Sequence, residues 1–151
     1  MPKISMNEQE EEKEIIVNGA KEFEDHRGKI SNYELGEKIN WIGLISSKKG
    51  FVRANHYHPE QEQKVLLISG KYVSLYKDLK SPDSVLRHHV VKAGDLVITP
   101  PNVAHVMVFA EDSVFVNLVN GDREHEKFSQ HTIPHFLIDP LDQNEINKYI
   151  Q

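Results

Sequence analysis

Two histidines separated by a single residue, His56 and His58, give this sequence its most informative spacing. Strand side chains alternate faces, so residues two apart point the same way and can share one ligand. Gln63 follows five residues later, at the head of an apolar run over 65–68, and His105 heads another apolar run. Imidazoles and an amide brought to one point would suit a divalent metal; without metal they form a polar cluster able to carry protons. The chain has nine histidines and no cysteine. Thiolate sites and disulfides are therefore excluded, and any metal must be held by His, carboxylate, amide or water.

For these groups to converge, short strands must deliver them. Apolar or β-branched runs over 15–17, 39–46, 65–68, 71–76, 85–91, 96–99 and 113–119 read as strands, as does a run beginning at His105. Turn signals separate them: Asn18-Gly19, residues 25–28, Ser81-Pro82-Asp83, Ala93-Gly94-Asp95, Pro100-Pro101-Asn102 and Asn120-Gly121. Strands punctuated this regularly predict an all-β barrel or sandwich. The runs on either side of Gly70 read as a hairpin or a bulged bend, and Trp41 with the aliphatic residues as core. Of the adjacent His88 and His89, one must face outward whatever the register. Residues 122–130 are charged, 133–136 extended, and Pro140-Leu141-Asp142 opens a short helix over 143–149. His125, His131 and His135 lie in this last part with no spacing that specifies a ligand set.

The division expected is a flexible acidic arm over 1–14, a barrel over 15–140 and a C-terminal helix and tail over 141–151. With 151 residues and 38% hydrophobic composition, one domain can bury a sizeable core. The net charge of -5 gives no general basic field, so nucleic acid is not an expected partner. No apolar run is long enough for a bilayer, and the polar start lacks the apolar centre of a secretory signal. A soluble, cytoplasmic protein is the expectation.

Gly50, His56, His58 and Gly70 resemble the first motif of the cupin family, and Gly94, Pro100 and His105 the second. The resemblance covers roughly residues 40–120. It implies a jelly-roll β-barrel holding one divalent ion, zinc, iron, manganese or nickel, on His56, His58, Gln63 and His105. Gln63 stands where the family usually carries glutamate, so the site loses one negative charge. Glu62 could supply that charge only through a turn one residue shorter, which would misplace Gly70. Asn102 replaces a motif glycine, and Phe109 a motif asparagine.

A narrower resemblance joins residues 25–28, 52–57, 78–82 and 100–105 to the nucleotide-sugar cupins, the dTDP-4-dehydrorhamnose 3,5-epimerase group and the related 3,4-ketoisomerases. It implies an isomerase or epimerase acting on a nucleotide-activated keto sugar in surface-polysaccharide synthesis. His56 would be the base that removes a proton beside the ketone, and Arg27 and Arg53 would grip the pyrophosphate. Asn117 lies near the position of the group's proton-donating tyrosine, which this chain lacks; by residue type, Tyr57, Tyr72 and Tyr76 are candidate acid or stacking groups. The chain departs from the simple epimerases in having His58, and in having Gln63 where they carry lysine. Two alternatives therefore stay open: a metal-dependent (Fe or Mn) dioxygenase, and a non-catalytic small-molecule-binding cupin. Open barrel edges and the extended tail suggest a homodimer formed by strand pairing.

Overall fold

A computed structural model of the chain describes residues 11–19, 22–121 and 131–150. Its strands are β1 (Ile15–Val17), β2 (Phe23–Asp25), β3 (Gly28–Ile30), β4 (Trp41–Ser47), β5 (Val52–Tyr57), β6 (Gln63–Ser69), β7 (Lys71–Asp78), β8 (Arg87–Lys92), β9 (Leu96–Thr99), β10 (Val103–Phe109), β11 (Ser113–Val119) and β12 (Ile133–Pro134); one helix, α1 (Gln143–Asn147), follows. They build two five-stranded sheets, ordered β1-β9-β6-β11-β4 and β12-β5-β10-β7-β8, with β2 and β3 forming a separate ribbon. Neighbours in both sheets are antiparallel. The all-β jelly roll with a short C-terminal helix expected from the sequence is the fold observed.

Cross-strand register sorts the interior into layers, because directly paired residues share a face. Deepest are Tyr72, Phe109 and Val91 of one sheet, facing Leu67 and Phe115 of the other. These side chains are almost fully buried, and the Phe109 ring stacks on Phe115 at 5.8 Å. Each such side chain contributes about 1.5–3 kcal/mol. The next layer is mixed: Met107, Ser74 and His89 lie opposite a wall of Val65, Val97 and Asn117. The uppermost row is polar, running His56, His105, Tyr76, Arg87 across one sheet and Gln63, Thr99 across the other. Polarity thus rises from the core to the barrel mouth.

Gly70 is a corner and not a hairpin turn: β6 and β7 belong to different sheets, and the chain changes sheet at this residue. Its φ of +97° and the backbone of Asp112 and Ser113 in the space where a Cβ would sit together demand glycine. The outer face of the second sheet is closed by the C-terminal segment, with Ile138 and Ile146 packed on Val73, Leu75, Val106 and Val108. Asp142 caps α1 by accepting from the Glu145 N–H at 3.1 Å. The helix ends at Asn147, short of the expected Tyr149, because the Lys148 and Tyr149 N–H groups bond three residues back, to Glu145 and Ile146, and tighten the last turn. Trp41, expected in the core, is 41% exposed because β4 is an edge strand.

The acidic run does not stay in solvent over its last residues. Glu11 meets Arg87 Nη2 at 2.5 Å and the Val85 N–H at 3.1 Å, the Glu12 N–H donates to Asp78, and Glu14 is buried. Residues 1–10, and the charged stretch 122–130 with His125, lie outside the described residues.

Candidate functional site

A β-bulge sets the site. Along β5 and β10, His56 pairs with His105 but Ala54 with Val106, so Asn55 is an extra residue. Ala54 and Asn55 both take positive φ, +76° and +59°. Asn adopts that region more readily than most residues, and the insertion turns His56 to the same inner face as Arg53, three positions earlier. The Asn55 side chain is buried and ties down the tail: its Oδ1 accepts from the Leu137 and Ile138 N–H groups at 3.0 and 3.4 Å, and its Nδ2 donates to the Ile138 carbonyl at 3.0 Å. The tail in turn delivers His131 and Thr132 to the site.

The three predicted histidines converge. His56 and His58 lie with ring centroids 4.8 Å apart, His56 and His105 at 4.9 Å, and one nitrogen from each ring falls within 4.8 Å of the others. His105 is 3% exposed, and its Nδ1 has no hydrogen-bond partner among the described residues. Burial, reinforced by the neighbouring His56 and His58, holds this imidazole well below the usual histidine range, so it stays neutral. His58 is held on both sides. Its Nδ1 lies 3.0 Å from the His131 carbonyl and 3.2 Å from Thr132 Oγ1, and its Nε2 lies 2.9 Å from the Gln63 amide. Gln63 Nε2 continues the chain to Asn117 Oδ1 at 3.3 Å.

A carbonyl only accepts, so the His131 contact places a proton on His58 Nδ1 and leaves Nε2 with a lone pair. An amide can meet that lone pair in either of two ways: turned over, Gln63 donates to it directly, while in the other orientation its oxygen sits beside it. The second arrangement suits a metal. Two ligands at about 2.1 Å on neighbouring corners of an octahedral ion are about 3 Å apart, close to the observed Nε2 to Gln63 separation. The donor set therefore fits a divalent ion, with the outer ring nitrogen of His58 oriented by backbone as metal-bound imidazoles usually are.

Gln63, rather than Glu62, faces the site. Glu62 turns outward to Lys64 Nζ at 2.7 Å, and Glu37 reaches the same ammonium at 2.5 Å, which lets a fully buried lysine remain charged. Tyr76 lies in the mouth row, paired with His105, and burial, then Glu14, raises its phenol above the ordinary value. Asn117 is buried beside Gln63. The remaining predicted residues are not gathered in. Strand alternation turns Tyr57 to the opposite face of β5, where its ring meets His135 at 6.2 Å. Arg27 sits on the β2–β3 ribbon, 74% exposed and held by Asp25 at 2.6 Å. Arg53 donates to the Ser46 carbonyl at 2.9 Å and lines a separate cavity of about 730 Å³ with Lys48, Phe51, Asp112 and Ser113.

Sequence reasoning missed Asn55, Thr132 and above all Glu14, which lies in the middle layer and not in the arm. The available signals were weak: an asparagine just before the first histidine, and one acid immediately ahead of Ile15-Ile16-Val17.

No family model matches the chain, and no curated protein does. Solved structures do. A dTDP-4-dehydrorhamnose 3,5-epimerase from Sulfolobus tokodaii aligns with a TM-score of 0.69 and 19% identity, over 86% of this chain and 82% of that one. A sugar 3,4-ketoisomerase from Thermoanaerobacterium thermosaccharolyticum, in complex with TDP, gives 0.66 and 15% over 89% and 95%. A dTDP-6-deoxy-D-glucose-3,5-epimerase from Legionella pneumophila, in complex with dTDP-4-keto-L-rhamnose, gives 0.66 and 17% over 84% and 74%. What this chain shares with them at such identities is the fold, the cupin jelly roll.

Proposed function

We propose that this cupin barrel is an isomerase or epimerase acting on a nucleotide-activated keto sugar. The observation that carries the reading is His56, set in the polar mouth of the barrel between a buried neutral His105 and a His58 fixed by Gln63 and His131. A ketone acidifies the hydrogen on the adjacent carbon, and a neutral imidazole can remove it. Because burial keeps His105 uncharged, the imidazolium formed at His56 meets no like charge from it. The Gln63 and Asn117 amides offer neutral hydrogen-bonding groups for the developing enolate. A phosphate-bearing substrate would draw on Arg53 and Arg27 outside this row. A place in surface-polysaccharide synthesis and a cytoplasmic location belong to the same reading; no described helix is long and apolar enough to cross a membrane.

The donors that fit a divalent ion (zinc, iron, manganese or nickel) are His56, His58, His105 and Gln63. A bound ion would supply Lewis-acid polarisation of the ketone oxygen, and His56 would then be a ligand instead of a base. The three clustered imidazoles alone favour a second reading, a metal-dependent dioxygenase, which requires iron in the purified protein. Elemental analysis of protein prepared without chelators separates these uses.

TDP-4-keto-6-deoxyglucose, the ligand of a ketoisomerase of this fold, or TDP alone is expected to raise the melting temperature. At a ligand concentration a hundred times Kd the gain is about 2.7 kcal/mol, or roughly 5–10 °C for a chain of this size. No shift with any nucleoside diphosphate sugar, with and without divalent metal, would sink the proposal. We also propose the homodimer: Ile42 and Leu44 on edge strand β4 are 70% and 75% exposed, an apolar edge that a second copy would cover. Sedimentation at the mass of a single chain would count against it.

A further inference from the structure

Beneath the mouth row lies a second polar cluster that the histidine site does not use. The Glu14 side chain is 2% exposed, yet its carboxylate spans the gap between the two sheets. One oxygen accepts from Ser74 Oγ on β7 and from His89 Nε2 on β8, the latter at 2.9 Å; the other accepts from Thr99 Oγ1 on β9. Arg87, the nearby guanidinium, is engaged by Glu11. If the interior needed only packing here, an apolar side chain would serve as well, since a buried charge returns little net stability. A carboxylate with three donors, one layer below His56 and His105, instead places fixed negative charge where a cation could form.

His89 is that group. A carboxylate accepts, so His89 Nε2 carries the proton and Nδ1 keeps its lone pair. The ring lies tilted against Tyr76, with centroids 5.1 Å apart and planes at 39°, and Tyr76 pairs with His105. The side chain is 21% exposed, so it is not sealed in the core. A carboxylate holding an imidazole in one tautomer, and stabilising its protonated form, is the arrangement by which an acid orients a histidine base.

We infer that Glu14 and His89 form a second acid/base pair in the barrel, which moves a proton between the two neighbouring oxygens of the sugar. The inference rests on the isomerase reading above. Moving a carbonyl to the adjacent carbon requires two exchanges and no change in electron count. The hydrogen on the hydroxyl-bearing carbon leaves to a base and a proton is added at the former carbonyl carbon, the work of His56. The hydroxyl on the first carbon loses its proton, and the former ketone oxygen gains one. His89 Nδ1 takes that hydroxyl proton and returns it to the neighbouring oxygen. Glu14 is the positioning residue, stabilising the transient imidazolium.

The test starts with the unliganded protein. Long-range proton–nitrogen NMR is expected to show His89 as the Nε2–H tautomer and to show that signature altered in Glu14→Gln; the opposite tautomer, or no change, would overturn the pair irrespective of turnover. With TDP-4-keto-6-deoxyglucose in deuterium oxide, Glu14→Gln and His89→Ala are each expected to lose at least about a hundredfold in kcat, with KM within threefold. Exchange of the carbon-bound hydrogen should persist, and added imidazole should restore part of the His89→Ala rate. Because His89 is partly exposed, the alanine variant serves even where Glu14→Gln fails to fold. Turnover within threefold of wild type in either variant, or a His89→Ala loss that imidazole does not relieve, would overturn the inference alone. No turnover by the wild-type protein of any nucleoside diphosphate keto sugar would overturn the isomerase reading and this inference together.

Discussion

His56→Asn is expected to lower kcat for isomerisation of TDP-4-keto-6-deoxyglucose by about two to four orders of magnitude, while TDP still raises the melting temperature. Asparagine keeps a polar side chain of similar reach but cannot hold a proton, so the variant removes the base and leaves the mouth row intact. The loss corresponds to about 2.7–5.4 kcal/mol of barrier, the usual contribution of a positioned acid or base. Neighbouring groups give little relief: burial makes His105 a weak proton acceptor, and the ring of His58 is pinned between the His131 carbonyl and the Gln63 amide. Steady-state kinetics beside a thermal-shift titration checks both halves. A rate within threefold of wild type would remove His56 from the reaction. Loss of a stoichiometric metal along with activity would make it a ligand.

The second large effect concerns stability. Asn55→Ala is expected to destabilise the fold by about 3 kcal/mol, because it deletes three hydrogen bonds and strands the part-buried N–H of Leu137 and the buried N–H and carbonyl of Ile138. It also leaves a Cβ-bearing residue without a compensating side chain at φ +59°. The melting temperature should fall by roughly 6–12 °C. Asn55→Gly restores the backbone freedom but not the bonds, and is expected to recover about 1 kcal/mol of the loss. Denaturant unfolding of the two variants separates the terms. A cost below about 1 kcal/mol for the alanine variant would mean that the tail is held by Ile138 and Ile146 packing alone.

The same residue shows why some of the site was legible in the sequence and some was not. His56 and His58 share a face because of strand periodicity, which is local, whereas His105, read as the head of an apolar run, is the third residue of β10, after Val103 and Ala104. Gln63 could be chosen over Glu62 by counting to Gly70. The bulge at Ala54–Asn55 is different: its asparagine is held by N–H and carbonyl groups of the tail, 82 and 83 residues away, and no local pattern records that. Arg27 and Arg53 were placed by resemblance, and Tyr57 and Tyr72 by residue type; the structure puts them on a ribbon, in a seam, on an outer face and, for Tyr72, in the deepest layer of the core. Glu14 sat next to a run of acids whose composition implies solvent, and only the fold reveals that one of them crosses the interior. Gly70 was rightly seen as a break, but whether a break reverses a strand or moves it to another sheet depends on partners far along the chain.

Glu14 also sets a timetable for folding. Its three donors lie 60, 75 and 85 residues downstream, on β7, β8 and β9, so Glu14 has no partner until β7 exists and its full set, like the pairing of β1, only once β9 does. Contacts this distant are slow to form, since the loop must close before any bond rewards it. During synthesis the segment leading into β1 is therefore expected to dock only after β7 to β9 have been made. Refolding should accordingly show the deep aromatic layer gaining protection from hydrogen exchange before β1 does, with the polar mouth completed only at the end.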